Sequence, residues 1–93
     1  MLKMEDCVAF CGLTEAEVRA VAEHEHMPVM AATAYAEHLL NQEKGAEKIR
    51  DMIVDDIRLA LGRDDRAHAD ELRVTLRRFL EGHPEAGGGA EVP

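Results

Sequence analysis

At 93 residues the chain has room for a single domain, and 46% hydrophobic with 32% charged residues is a globular balance. A formal charge of −8 argues against a phosphate backbone as partner, and no run reaches the roughly 18 apolar residues of a membrane span. Two cysteines are too few for a disulfide scaffold, and Met1–Asp6 carries acid where a secretory leader needs an apolar core, so a reduced, cytoplasmic protein is expected.

The first periodic signal is Met4, Cys7, Val8 and Cys11, one helical face over 3–11, followed by Gly12 at a helix-ending position. The next start is stronger. Thr14 is an N-cap, Glu17 its capping-box partner three residues on, and Leu13 and Val18 occupy the staple positions. Val18, Val21 and Ala22 continue the apolar stripe, so a helix is expected over 15–26. It stops before Pro28, because the residue preceding a proline resists the helical region. Pro28 then suits the start of another helix.

Val29 to Ala36 is apolar nearly all round, and Leu39 and Leu40 extend it. A helix without a polar side is buried centrally or shared with a second chain. Asn41 through Gly45 is the break. Ile49, Met52, Ile53, Ile57, Ala60 and Leu61 mark a fourth helix over 46–61, ended by Gly62. Asp64 or Asp65 caps a fifth over 65–81, carrying Ala69, Leu72, Leu76, Phe79 and Leu80, with Gly82 and Pro84 as stops. The expected fold is all-α: a small bundle of four to five short helices in residues 1–84, with 85–93 as a flexible tail. The helices over 46–61 and 65–81 should form an antiparallel hairpin. The acid is concentrated early, with eight carboxylates against Lys3 and Arg19 in residues 1–43. Arg66, Arg73, Arg77 and Arg78 should pair with that half, within or between chains.

Glu23-His24-Glu25-His26 is the densest group of metal-ligand side chains. Glu23 and His26 sit three apart, a spacing by which one helix offers a carboxylate and an imidazole to the same ion, as in di-iron carboxylate bundles. A full site of that kind needs two such motifs, so this chain would complete it across a symmetric dimer with Glu37 supplying further carboxylates. Iron or zinc is the expected ion for Glu23, His26 and Glu37. The ordinary use of His24 and His26 is to complement the helix dipole at a C-terminus. Glu25 falls within the Val18–Val21–Ala22 stripe and Asp56 between Ile49, Ile53 and Ile57. A carboxylate on an apolar stripe needs a partner, such as an arginine, a histidine, an N–H cluster or a metal. Cys7 and Cys11 with Met4 offer soft donors, although free cysteines commonly serve as small buried hydrophobes. Tyr35 and His38 are placed to meet at a pocket mouth.

No serine is present, and no nucleophile–base pair or phosphate-cradling glycine loop stands out, so catalysis is not expected. The function expected is that of a small acidic helical protein acting through self-association and a protein partner, without nucleic acid or membrane. The homo-oligomer seam would run through Val29, Ala32, Ala36 and Leu40. The alternative is a metal-binding carboxylate–histidine bundle.

Overall fold

The computed structural model describes residues 13–87. Four helices account for most of them: α1 (Glu15–Glu25), α2 (Val29–Leu40), α3 (Gly45–Gly62) and α4 (Arg66–Gly82), followed by a 3-10 turn at Pro84–Ala86. The all-α expectation holds, and each boundary falls within a residue of the one read from the sequence. The helix expected over 3–11, with Cys7 and Cys11, lies outside the described residues.

α1 begins as its sequence dictates. The Glu17 backbone N–H donates to Thr14 Oγ1 at 3.2 Å, and the Thr14 N–H donates to Glu17 Oε1 at 3.0 Å. Two groups that helix geometry leaves without partners are thereby satisfied. Leu13 and Val18, the expected staple pair, are both buried in the core. The helix ends at His26, whose backbone is left-handed at φ 54° and whose N–H returns to Ala22 O. Pro28 then turns the chain directly into α2.

α3 is the central element: α1, α2, α4 and the 3-10 turn all pack on it, while α2 and α4 lie apart from each other. Ile49, Ile53, Ile57 and Ala60 of α3 are wholly buried and meet Ala69, Leu72, Leu76 and Phe79 of α4 in one core. The expected antiparallel pairing of α3 and α4 is the largest contact in the molecule. Gly45 fixes how α2 hands over to α3. A Cβ there would stand 1.5 Å from the Leu39 carbonyl oxygen, so only glycine admits this approach. Arg66 pairs with Asp64 and Arg73 with Asp70, both close in sequence.

Two expectations are corrected. The tail does not begin at 85: Pro84–Ala86 folds back, Ala86 is buried, and the Arg50 guanidinium donates to its carbonyl. His83, stacked on Phe79 at 4.7 Å between ring centres, steers the chain there. Ala32 and Ala36 are not free to form a seam between chains either, because both are wholly buried against this chain's own core. Only Val29 and Leu40 of the four expected seam residues retain part of their surface. Small residues on α2 let it approach its own neighbours closely, which consumed that face. No described helix is long and apolar enough to cross a membrane.

Candidate functional site at the α1–α3–α4 junction

The C-terminal end of α1 meets the last half of α3 and the first turn of α4, and ionisable side chains gather there. Glu23 and His24 come from α1, Asp55 and Asp56 from α3, and His68 from α4. The placement follows from helix phase. Val18, Val21 and Ala22 turn inward, which sets Glu23 toward α4 and His24 toward α3. The Asp65 side chain caps α4 by accepting from the His68 N–H at 3.2 Å, which fixes His68 in the first turn.

His68 Nε2 donates to Glu23 Oε1 at 2.6 Å, and its Nδ1 lies 3.5 Å from Glu71 Oε2. His24 Nδ1 is 3.1 Å from Glu25 Oε2, and its Nε2 is 3.3 Å from Asp55 Oδ2. An imidazole with a carboxylate at each nitrogen donates from both only as the imidazolium. Burial works against that charge in both rings. For His68 the hydrogen bond to Glu23 and the charge of Glu23 outweigh it, and for His24 the bonds to Asp55 and Glu25 do so. Both histidines are therefore held above the usual imidazole range. Glu25 also meets Tyr35 of α2. Burial, the hydrogen bond with Glu25 and its negative charge together raise the phenol.

Asp56 differs from all of these. It is fully buried, and neither carboxyl oxygen has a hydrogen-bond partner among the described residues. The other buried polar side chains have partners: Glu17 in the capping box, Thr33 to the Val29 carbonyl, and Thr75 to the Glu71 carbonyl. Burial pushes the Asp56 carboxyl up, and the negative charges of Glu23 and Asp55 push it further. His24 and His68 pull the other way, and the balance lies at about 7.

Of the sequence-read site, only Glu23 lies in this cluster. His26 is the exposed left-handed cap of α1, and Glu37 lies on the exposed side of α2. Among the described residues no three His, Cys, Asp or Glu side chains stand in a metal-holding arrangement. Of the two carboxylates that helical spacing places on apolar stripes, Glu25 meets His24 and Tyr35, whereas Asp56 meets no arginine. Tyr35 turns to Glu25, while His38 accepts from the Gln42 amide at 2.8 Å. Sequence spacing does not single out His68 or Asp55. The available signal for His68 is its place between Asp65 and Glu71, at i−3 and i+3, on the side of α4 that also buries Leu72 and Thr75.

The same end of the bundle carries exposed apolar side chains. Met30, in the first turn of α2, is 50% exposed, and Leu59, near the end of α3, is 58% exposed. Leu61 adds a smaller surface. Ala31 and Ala34 continue the outward stripe of α2 before Glu37 and His38 make it polar. No protein-family model, curated protein or solved structure matches this chain.

Proposed function

We propose that the protein is a binding module that associates with a second copy of itself, and in that state with a protein partner, through the outward stripe of α2. The observation that carries this reading is the uncharged run Met30, Ala31 and Ala34 on the exposed side of a helix whose opposite side is already used in the core. An apolar stripe of this kind gains by being covered, and two alanines let a facing helix come close.

Light scattering at micromolar concentration tests it, with two arginine substitutions that separate assembly from folding. Ala34→Arg, on the exposed stripe, is expected to dissociate the assembly and leave the melting transition within about 0.5 kcal/mol of the parent, as surface changes do. Ala32→Arg, a few residues away but wholly buried, is expected to unfold the chain instead, since it buries a charge without a partner. A parent protein that remains monomeric over the whole concentration range would refute the reading.

A further inference from the structure

Within a chain of formal charge −8, the second half of α4 is locally basic: from Arg73 to Gly82 three arginines stand against one carboxylate, Glu81. Arg73, Leu76, Arg77 and Leu80 fall at i, i+3, i+4 and i+7 and so share one helix face. They line a half-open groove of about 270 Å³, to which Leu76 and Leu80 give an apolar surface and the two arginines a charged one. Val74, 44% exposed, precedes Arg77 and Arg78 by three and four residues and extends the apolar surface beside them. Arg19, Arg50, Arg58, Arg66 and Arg73 each stand within ion-pair distance of a carboxylate. Arg77 and Arg78, both exposed, have no such partner among the described residues. They also lie ahead of the last turn of α4, where a cation complements the helix C-terminus, and that turn holds no base.

We propose that this face of α4 docks an acidic amphipathic helix of a partner protein. Guanidinium groups hold carboxylates in a planar, two-point contact, so charge complementarity selects glutamate or aspartate beside an apolar anchor. The groove is smaller than the roughly 300–1,000 Å³ of a small-molecule site and open to water, which suits one or two apolar side chains of a larger partner. A helix is the form that fits. The lining residues follow a helical ridge, against which a second helix packs. The described residues offer no strand edge to which an extended segment adds. Apolar residues on one side of the partner helix rest on Leu76, Leu80 and Val74, and the carboxylates flanking them meet Arg77 and Arg78. The negative charge of the rest of the chain repels the same partner, which confines it to this face. The face is separate from the outward stripe of α2, since α2 and α4 make no contact, so either surface can fail without the other.

The test is fluorescence anisotropy of a labelled synthetic helix of alanine and glutamate, with leucine along one face, titrated with the full-length chain. Saturable binding is expected, and it should be lost when lysine replaces glutamate or alanine replaces leucine in the peptide. The combined variant Arg77→Gln with Arg78→Gln should weaken binding by about tenfold or more, the size of two charge-assisted contacts partly open to water. Added salt should weaken the parent more than this variant. The combined variant Arg58→Gln with Arg63→Gln makes the same change in net charge elsewhere and should bind as the parent does, as should Ala34→Arg. All four arginines are exposed, and circular dichroism confirms the fold of each variant. Absence of saturable binding, equal binding of the lysine peptide, an undiminished affinity in the Arg77/Arg78 variant, or an equal loss in the Arg58/Arg63 variant would each overturn the proposal. Tighter binding of a single-stranded oligonucleotide than of the acidic peptide would also overturn it. So would a parent dimer that the Arg77/Arg78 variant dissociates, which assigns the face to a second copy, or peptide binding that begins only when residues 1–12 are removed, which assigns it to the chain itself.

Discussion

The two ends of α1 solve the same problem in opposite ways. At the N-terminus Thr14 and Glu17 satisfy each other's backbone groups across three residues. At the C-terminus the ionisable groups depend on partners 31 and 45 residues away, and one of the assembled groups, Asp56, is left without a bond among the described residues. A locally closed hydrogen-bond set adds stability and little else. The set completed across three helices leaves one member, Asp56, unsatisfied among the described residues. Unsatisfied buried carboxyls are retained at a cost, and such sites are where function concentrates.

The largest expected effect is on the open end. The folded Asp56 carboxyl lies at about 7 against 3.8 when exposed, so the folded chain holds its proton more tightly than the unfolded one. The resulting stability is fully present below about pH 4 and is lost as pH rises through about 7. The gap between those two values corresponds to about 4 kcal/mol at most. His24 and His68, raised above 6.5, act in the same direction, and their contribution is lost as pH climbs above their folded values. Urea denaturation at about pH 5, 7 and 9 should show most of the fall in stability between the first two, and Asp56→Asn should flatten most of that slope. A flat profile in the parent would mean that Asp56 is solvated or bonded in solution, and the contrast between the two ends would disappear.

The next effect sharpens the contrast from a third place. Cutting the chain after His83 removes Ala86, together with the carbonyl that takes the Arg50 guanidinium. Thermal melting should report a loss of about 1–2 kcal/mol, of the size expected for one buried small residue plus a charged donor left without its acceptor. Cutting after Gly87 should retain nearly all of it. Thr14→Ala breaks the closed end and should cost about 1 kcal/mol. Because no titrating group of the junction is touched, the cost should be the same at about pH 5 and pH 9, and a strongly pH-dependent cost would show that the two ends are coupled. Smallest of all, Glu15→Gln removes an exposed ion pair to Arg19 at 2.6 Å and should change stability by about 0.3 kcal/mol, less in salt.

How far the sequence is legible follows the same division. Helix starts and stops rest on neighbours: Thr14 with Glu17, Pro28, Asp65 and Gly82 act over one to four residues, so their effect can be read along the chain. Asp56 stands out for the same reason, as a carboxylate at helical spacing from Ile49, Ile53 and Ile57. Its surroundings do not, because helix phase says which way a side chain points and not what meets it. Spacing alone groups Glu23 with His26, three residues on. The left-handed turn at His26 ends α1 there, and the rotation of α1 against α4 gives Glu23 to His68 instead. The apolar character of α2 is likewise plain, but which alanines it spends inside the chain depends on where α1 and α3 lie. Ala86 is hidden by its glycine-rich surroundings, and the guanidinium that meets its carbonyl, that of Arg50, lies 36 residues back in the sequence.

The position of α3 has a consequence for how the molecule opens. Every other element rests on it, and its inner face is sealed by Ile49, Ile53 and Ile57. No part of the bundle can therefore expose the middle amides of α3 by detaching alone. In native-state hydrogen exchange these amides should be the slowest and should report the global unfolding free energy. Those of α2, which has α1 and α3 on one side and an open stripe on the other, should exchange through a smaller, separate opening. The pairing of α3 with α4, adjacent in sequence and joined by a short turn, should be in place early in folding, with α1 and α2 closing onto it afterwards.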